Sequence, residues 1–214
     1  RLNLVKHLSI TSPSIEQQIM PTWDNVDNIE LWVKRDDLIH PIISGNKWRK
    51  LSHALQSAVD NQCRHIVSFG GGFSNHLHAL GYCCQKLGIR LTAIVRGDYS
   101  SNPSPMLTDL LNWQTDIQYV NRITYQKRTD SDYLNTLQQS YPNALIIPEG
   151  GSQQQALVGM ADVIAELTQH YDYIVAPVAS GGTLAGLINA KNQQELSSSV
   201  LGIAVLKGQG YLER

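Results

Sequence analysis

The sequence predicts an α/β protein with a mostly parallel sheet, and three observations lead there. Runs of β-forming apolar residues alternate along the chain with stretches whose apolar positions recur at helical spacing. Gly-rich turns follow the strands, as in parallel-sheet proteins. The 214 residues, which show no internal repeat, are enough for a substantial core.

The elements follow in order. Residues 29–34 are rich in β-formers and partly alternate, which predicts a strand; Pro41, Ser44 and Gly45 mark a loop. Helical spacing of Leu51, Leu55, Ala58 and Val59 predicts a helix from Asn46 to about Asp60. Residues 65–69 form an apolar strand running into three glycines. A helix follows from about Ser74 to Leu87, ended by Gly88. Strands are expected at 91–95, 117–120, 144–148, 173–178 and 200–205, with helices at 106–113, 130–140, 156–170 and after 183. Residues 97–105, with two prolines, read as a surface loop. Parallel sheets bind ligands at the carboxyl ends of their strands. The loops 70–75, 149–152 and 180–183 are therefore where function is sought. After the final strand an α/β chain usually continues, so a missing C-terminal part is expected; the first residue, Arg1, suggests a trimmed N-terminus.

Composition excludes several classes. A net charge of -1 offers no basic face for nucleic acid. Charged residues at 16% and hydrophobic residues at 42% fit an ordinary globular chain. No run approaches the ~20 apolar residues of a membrane span, and the start lacks a signal-peptide core. Cys63, Cys83 and Cys84, odd in number with two adjacent, make a poor disulfide framework and read as reduced thiols in the cytoplasm. The seven histidines lack metal spacing, so no metal is expected; His76 and His78, two apart on a helix, face different ways.

Three clusters can carry chemistry. In Ser44-Gly-Asn-Lys-Trp-Arg-Lys50, Lys47 begins a helix, where the helix dipole disfavours a second positive charge and favours a neutral, nucleophilic amine. Lys50 lies one turn on and can reach an anionic group held by Lys47. The alternative is a basic, solvated helix start. In Ser68-Phe-Gly-Gly-Gly-Phe-Ser-Asn-His76, the glycines allow close backbone approach, and Ser74 and Asn75 sit at a helix start. A plain helix cap is the alternative. In Val178-Ala-Ser-Gly-Gly-Thr-Leu-Ala-Gly186, small residues end a buried strand where a helix begins, a cradle for one phosphate monoester. A structural turn is the alternative. Asp36 and Asp37 read as caps or as partners of Arg35 or Arg49.

Taken together, Lys34-Arg-Asp-Asp37, Gly45-Asn-Lys-Trp-Arg-Lys-Leu51, the Ser74-Asn-His76 loop, Pro148-Glu-Gly-Gly-Ser152 and Ser180-Gly-Gly-Thr-Leu-Ala-Gly186 occur in that order. This resembles the 1-aminocyclopropane-1-carboxylate (ACC) deaminase / D-cysteine desulfhydrase family of pyridoxal-phosphate enzymes, across about residues 30–206. The resemblance implies fold type II, like the tryptophan synthase β subunit, with two open, three-layer parallel-sheet domains. Residues 1–47 and 156–214 would belong to a larger domain, and 48–155 to a smaller inserted one. It implies Lys47 as the Schiff-base lysine, Ser74 as the catalytic serine, and Lys50, Ser180, Gly181, Gly182, Thr183 and Leu184 as holders of the cofactor phosphate. Asn75 would bond the cofactor ring oxygen, and Ser74, Asn75, His76 and Ser152 would face the substrate. Many members carry Gln before the serine and Arg two residues after the histidine; here these are Phe73 and His78, which bears on substrate identity. The implied activity is release of ammonia from D-cysteine or ACC, in a homodimer. A cofactor-binding protein without turnover and a nucleotide-dependent oxidoreductase are the other readings. The second needs a Gly-x-Gly-x-x-Gly fingerprint, which Asn75 breaks.

Overall fold

The computed structural model describes residues 2–151, 154–178 and 181–205. Near the N-terminus are a single helical turn, α1 (Leu4–His7), and two strands, β1 (Glu16–Ile19) and β2 (Leu31–Lys34). There follow α2 (Asn46–Asp60), β3 (His65–Gly71), α3 (Asn75–Leu87), β4 (Arg90–Arg96), α4 (Pro105–Asn112) and β5 (Asp116–Val120). Next come α5 (Arg122–Gln126), α6 (Ser131–Ser140), β6 (Leu145–Ile147), α7 (Gln154–Ala165), β7 (Tyr173–Val178), α8 (Gly182–Gln193) and β8 (Ser199–Ala204).

The central sheet is parallel throughout, in the order β5-β4-β3-β6. Side chains alternate across it. Ile66, Ala93 and Val95 pack with Leu51, Leu55, Leu77, Leu80 and Leu107 of α2, α3 and α4. Their neighbours Val67, Phe69 and Ile94 pack on the opposite face with Tyr125 of α5 and Leu137 of α6. The result is three layers, with all four carboxyl ends on one edge. A second core joins α7 and α8 to the parallel pair β7–β8 through Met160, Ile164, Ala176 and Leu187.

Local chemistry sets the helix ends. Ser74, Ser104, Asn121 and Asp130 each cap a helix by accepting a hydrogen bond from a first-turn N–H. Gly88 ends α3 in the left-handed conformation, at φ 64°. Several features depart from the sequence-based expectation: the turn α1 is unexpected, and β7, expected to be buried, has one face exposed at Tyr173 and Val175. The residues before β2 hold a polar strand, β1, that pairs antiparallel with it. A short capped helix, α5, occupies residues that carry no visible period. And α7 stops at Ala165 rather than near His170, because Glu166 turns inward to Arg49 and the Thr168 N–H is taken by Glu16 Oε1 at 3.0 Å.

Candidate active site

The first turn of α2 is not a solvated basic surface. Trp48, Arg49 and Lys50 are buried, and Lys47 is half-buried. Arg49, only 2% exposed, turns into a closed network. Its guanidinium meets Asp36 Oδ1 at 2.9 Å and Glu166 Oε1 at 2.6 Å. Asp37 pairs with Arg35 at 2.7 Å. Both aspartates therefore serve as ion-pair partners.

Lys47 and Lys50 are left for chemistry. Among the described residues neither has a carboxylate within ion-pair distance. Burial lowers the Lys47 amine below the ordinary lysine value. Burial, then the charge of Lys47, does the same to Lys50. The helix dipole argues in the same direction, but loss of water is the principal cause here.

The start of α8 faces Lys50. Gly181 is left-handed, at φ 81°, and the helical ladder begins with the Ala185 N–H donating to Gly181 O at 2.9 Å. The N–H groups of Gly182, Thr183 and Leu184 thus have no partner within the helix. A Cβ placed on Gly182 would lie 3.8 Å from Lys50 Nζ, so the ammonium stands over this turn. Asn46 Nδ2 donates to Thr183 Oγ1 at 3.2 Å and ties the two helix starts together. The Leu184 side chain points to β8, since a Cβ on Gly202 would meet its Cδ2 at 2.7 Å. Leu184 therefore offers its backbone to the site. Ser180 and Ser152 lie outside the described residues.

The third part is the loop from β3 to α3. Ser74 Oγ accepts the Leu77 N–H at 3.2 Å, which leaves its hydroxyl proton to donate. Asn75 is exposed at the first position of α3. Gly70 and Gly72 are demanded by the chain itself. A Cβ on Gly70 would come 2.6 Å from Ser74 Oγ, and one on Gly72 would come 2.3 Å from the Tyr99 ring. His76 is buried at 3% exposure, its Nε2 2.8 Å from Ser68 Oγ. His78 turns the other way, to Asp109 at 2.8 Å, and stacks on Trp113. Exposed Phe73 stands edge-on to Tyr99. In the third loop, Glu149 is held by Arg128 Nε at 2.7 Å, and Gly150 has φ 72°. Two parts of this region escaped sequence reasoning. Ser68 lies inside an apolar strand, and Glu166 is an isolated acid at a helix end; neither carries a local signal.

A buried and a half-buried amine, free helix N–H groups and a capped serine at one edge of parallel strands define an anion-holding, amine-bearing α/β enzyme site. The chain belongs to the pyridoxal-phosphate dependent enzyme family, whose model matches residues 20–209. It is 30% identical over 195 residues to a Pyrococcus abyssi protein provisionally named a 1-aminocyclopropane-1-carboxylate deaminase, covering 88% of this chain and 59% of that one. It is 27% identical over 189 residues to a D-cysteine desulfhydrase of Klebsiella pneumoniae, covering 82% of this chain and 57% of that one. A crystal structure of an ACC deaminase homologue superposes with a TM-score of 0.75 at 23% identity, covering 98% of this chain and 68% of that one. The fold is thus that of the fold type II pyridoxal-phosphate enzymes. The chain spans about three fifths of the length of the first of these relatives.

The residues present fit the family's cofactor, pyridoxal 5'-phosphate. A phosphate monoester dianion needs cations and N–H donors, and the uncompensated Lys50 over the open first turn of α8 supplies both. An aldehyde needs an amine able to lose its proton, and half-buried Lys47 supplies that. Among the described residues no group of three or more His, Cys, Asp or Glu could hold a metal, and no helix is long and apolar enough to cross a membrane.

Proposed function

We propose that this chain forms the cofactor-holding part of a pyridoxal-phosphate enzyme that releases ammonia from a small amino acid, D-cysteine or ACC. The observation that carries this is the position of Lys50 Nζ, 3.8 Å from a Cβ placed on Gly182. It sets a cation over the amides of one helix start, one turn along from the candidate reactive amine. In this reading Lys47 holds the cofactor covalently. Lys50, Ser180, Gly181, Gly182, Thr183 and the Leu184 N–H hold its phosphate, and Asn75 bonds its ring oxygen. Ser74, Asn75 and Ser152 face the substrate, and His76, expected there from the resemblance, is buried instead.

When bound, pyridoxal phosphate supplies an electron sink for negative charge at the substrate carbon. The protein supplies positioning and proton handling. Burial enlarges the neutral fraction of Lys47, so its nitrogen can take a proton from the substrate. Ser74 keeps a hydroxyl proton to donate because its cap bond uses only a lone pair. The balances are D-cysteine plus water to pyruvate, sulfide and ammonia, and ACC plus water to 2-oxobutyrate and ammonia. We favour D-cysteine. Phe73 and His78, which replace residues that many family members carry, bear on how the substrate carboxylate is held rather than on this choice, and His78 is engaged with Asp109 rather than with the cleft.

The proposed layout follows from the same reading. Residues 48–155 form the smaller domain, which contains the four-stranded sheet, and 1–47 with 156–214 contribute to the larger one. The working form is a cytoplasmic homodimer, checked by sedimentation. The decisive experiment compares the visible absorbance of the protein with pyridoxal phosphate before and after Lys47→Ala, with keto-acid release from D-cysteine and ACC measured in parallel. The band and the activity should both vanish in the variant; a surviving band would remove Lys47 from the role.

A further inference from the structure

An amino-acid substrate brings a carboxylate into the cleft, and a carboxylate leaving water needs a cation or N–H donors of its own. Most cations near the site are committed elsewhere. Lys50 stands over the start of α8, and Arg49 is closed into its ion pairs. His78 is turned to Asp109 at 2.8 Å.

Arg96 is not committed. It is the last residue of β4, one of the two inner strands of the central sheet, and so lies at the carboxyl edge, where parallel sheets bind ligands. Its register partner on β3 is Gly71, whose carbonyl accepts the Ser74 N–H at 3.2 Å. Arg96 therefore flanks the turn that presents Ser74. On the other side the Gly97 N–H donates to Val120 O at 2.9 Å and fixes the backbone. A Cβ placed on Gly71 would lie 3.7 Å from Arg96 Nη2. Apart from its chain neighbours, it would meet nothing else within 4 Å among the described residues. The glycine thus leaves open space beside an exposed guanidinium.

Charge points the same way. The guanidiniums of Arg96 and Arg128 lie 5.6 and 4.6 Å from the centroid of the buried Tyr125 ring. Arg128 is neutralised by Glu149 at 2.7 Å. Among the described residues Arg96 has no carboxylate within ion-pair distance. Contact with the ring restricts the Arg96 side chain, and a restrained guanidinium fork matches the two oxygens of a carboxylate.

We propose that Arg96 binds the carboxylate of the substrate beside the Gly71–Ser74 turn, and so selects amino acids over simple amines. This deepens, and rests on, the reading of the site as one that holds pyridoxal phosphate.

The test titrates the holoenzyme with ACC and with cyclopropylamine, which lacks only the carboxylate, and follows the shift of the visible cofactor band. Arg96→Gln should weaken ACC about ten- to a hundredfold, the loss expected for one charge-assisted pair. Cyclopropylamine and pyridoxal phosphate itself should bind within about twofold of their affinity for the unaltered protein, since neither uses this contact. Arg96→Lys keeps the charge without the fork and should fall between. In turnover of D-cysteine or ACC the loss should appear in KM more than in kcat. An unchanged ACC affinity in Arg96→Gln would overturn the proposal. So would ACC and cyclopropylamine weakened together, the mark of a merely structural arginine. An unaltered protein that shows no band with pyridoxal phosphate would overturn the cofactor assignment, and this proposal with it. A band moved by neither ACC nor D-cysteine would overturn the choice of substrate and this proposal together, and leave the cofactor assignment standing.

Discussion

At the scale of single residues, the lysines show why neighbours matter more than type. Lys47, Arg49 and Lys50 are three cations within four positions, yet one is locked in ion pairs and two are left uncompensated. Lys50→Met keeps much of the buried stem but removes the charge over α8. Charge-assisted hydrogen bonds contribute about 1.5–3 kcal/mol, so pyridoxal phosphate should bind roughly ten- to a hundredfold more weakly, measured by absorbance titration. Ser74→Ala removes both the cap of α3 and a hydroxyl at the site. It should cost about 1 kcal/mol in urea unfolding and should lower turnover far more than that loss alone explains. Sequence order was enough to single out Lys47, Lys50, Ser74, Asn75 and the 180–184 turn, because glycines, hydroxyls and lysines are concentrated there. It could not single out Ser68 or Glu166, because the Ile147 carbonyl that takes the Ser68 proton lies 79 residues away and Arg49, the partner of Glu166, lies 117 away.

At the scale of elements, α2 is the pivot. It packs on the central sheet through Leu51 and Leu55 and on α7 through a backbone contact. Gly159 makes that contact possible. A Cβ there would fall 1.6 Å from the Arg49 carbonyl oxygen, and a backbone atom cannot step aside. Gly159→Ala should therefore push α7 off α2 and cost at least about 1–3 kcal/mol, read from urea unfolding, and it should weaken cofactor binding at the same time. Most elements were legible in the sequence. The bounds of α2 and β7 match their apolar patterns, and α3 ends where its glycine stands. What stayed hidden, β1 and α5, is short and polar. Their stability comes from pairing and from a cap rather than from a buried stripe.

For the whole molecule, the Arg49 network joins the N-terminal hairpin, α2 and the end of α7. Lys34 lies 3.0 Å from Glu166, and Ser14 donates to Asp36. Burial by itself would raise the Glu166 carboxyl, but hydrogen bonds and charge from Arg49 and Lys34 overcome it and hold the group at about 2. A depressed carboxyl stabilises the fold above its ordinary value and loses that contribution as pH falls through the folded one. Stability should thus hold down to about pH 4.5 and then decline toward pH 2, by up to about 3 kcal/mol from this group. Glu166→Gln should flatten that part of the acid-unfolding curve, at the cost of a less stable protein at neutral pH. The sequence pointed to the fold class through its alternation of strands and helices. This long-range network, which no local pattern encodes, was beyond its reach.

Trp48 sits buried between Lys47 and Arg49, whereas Trp23 is open to water. An indole so placed emits at the blue end of the tryptophan range, and any chromophore bonded to the adjacent side chain lies close enough to quench it. With four tryptophans in the chain, the fall in emission that is lost in Trp48→Phe would then report loading of the apoprotein in real time, without substrate and without a label.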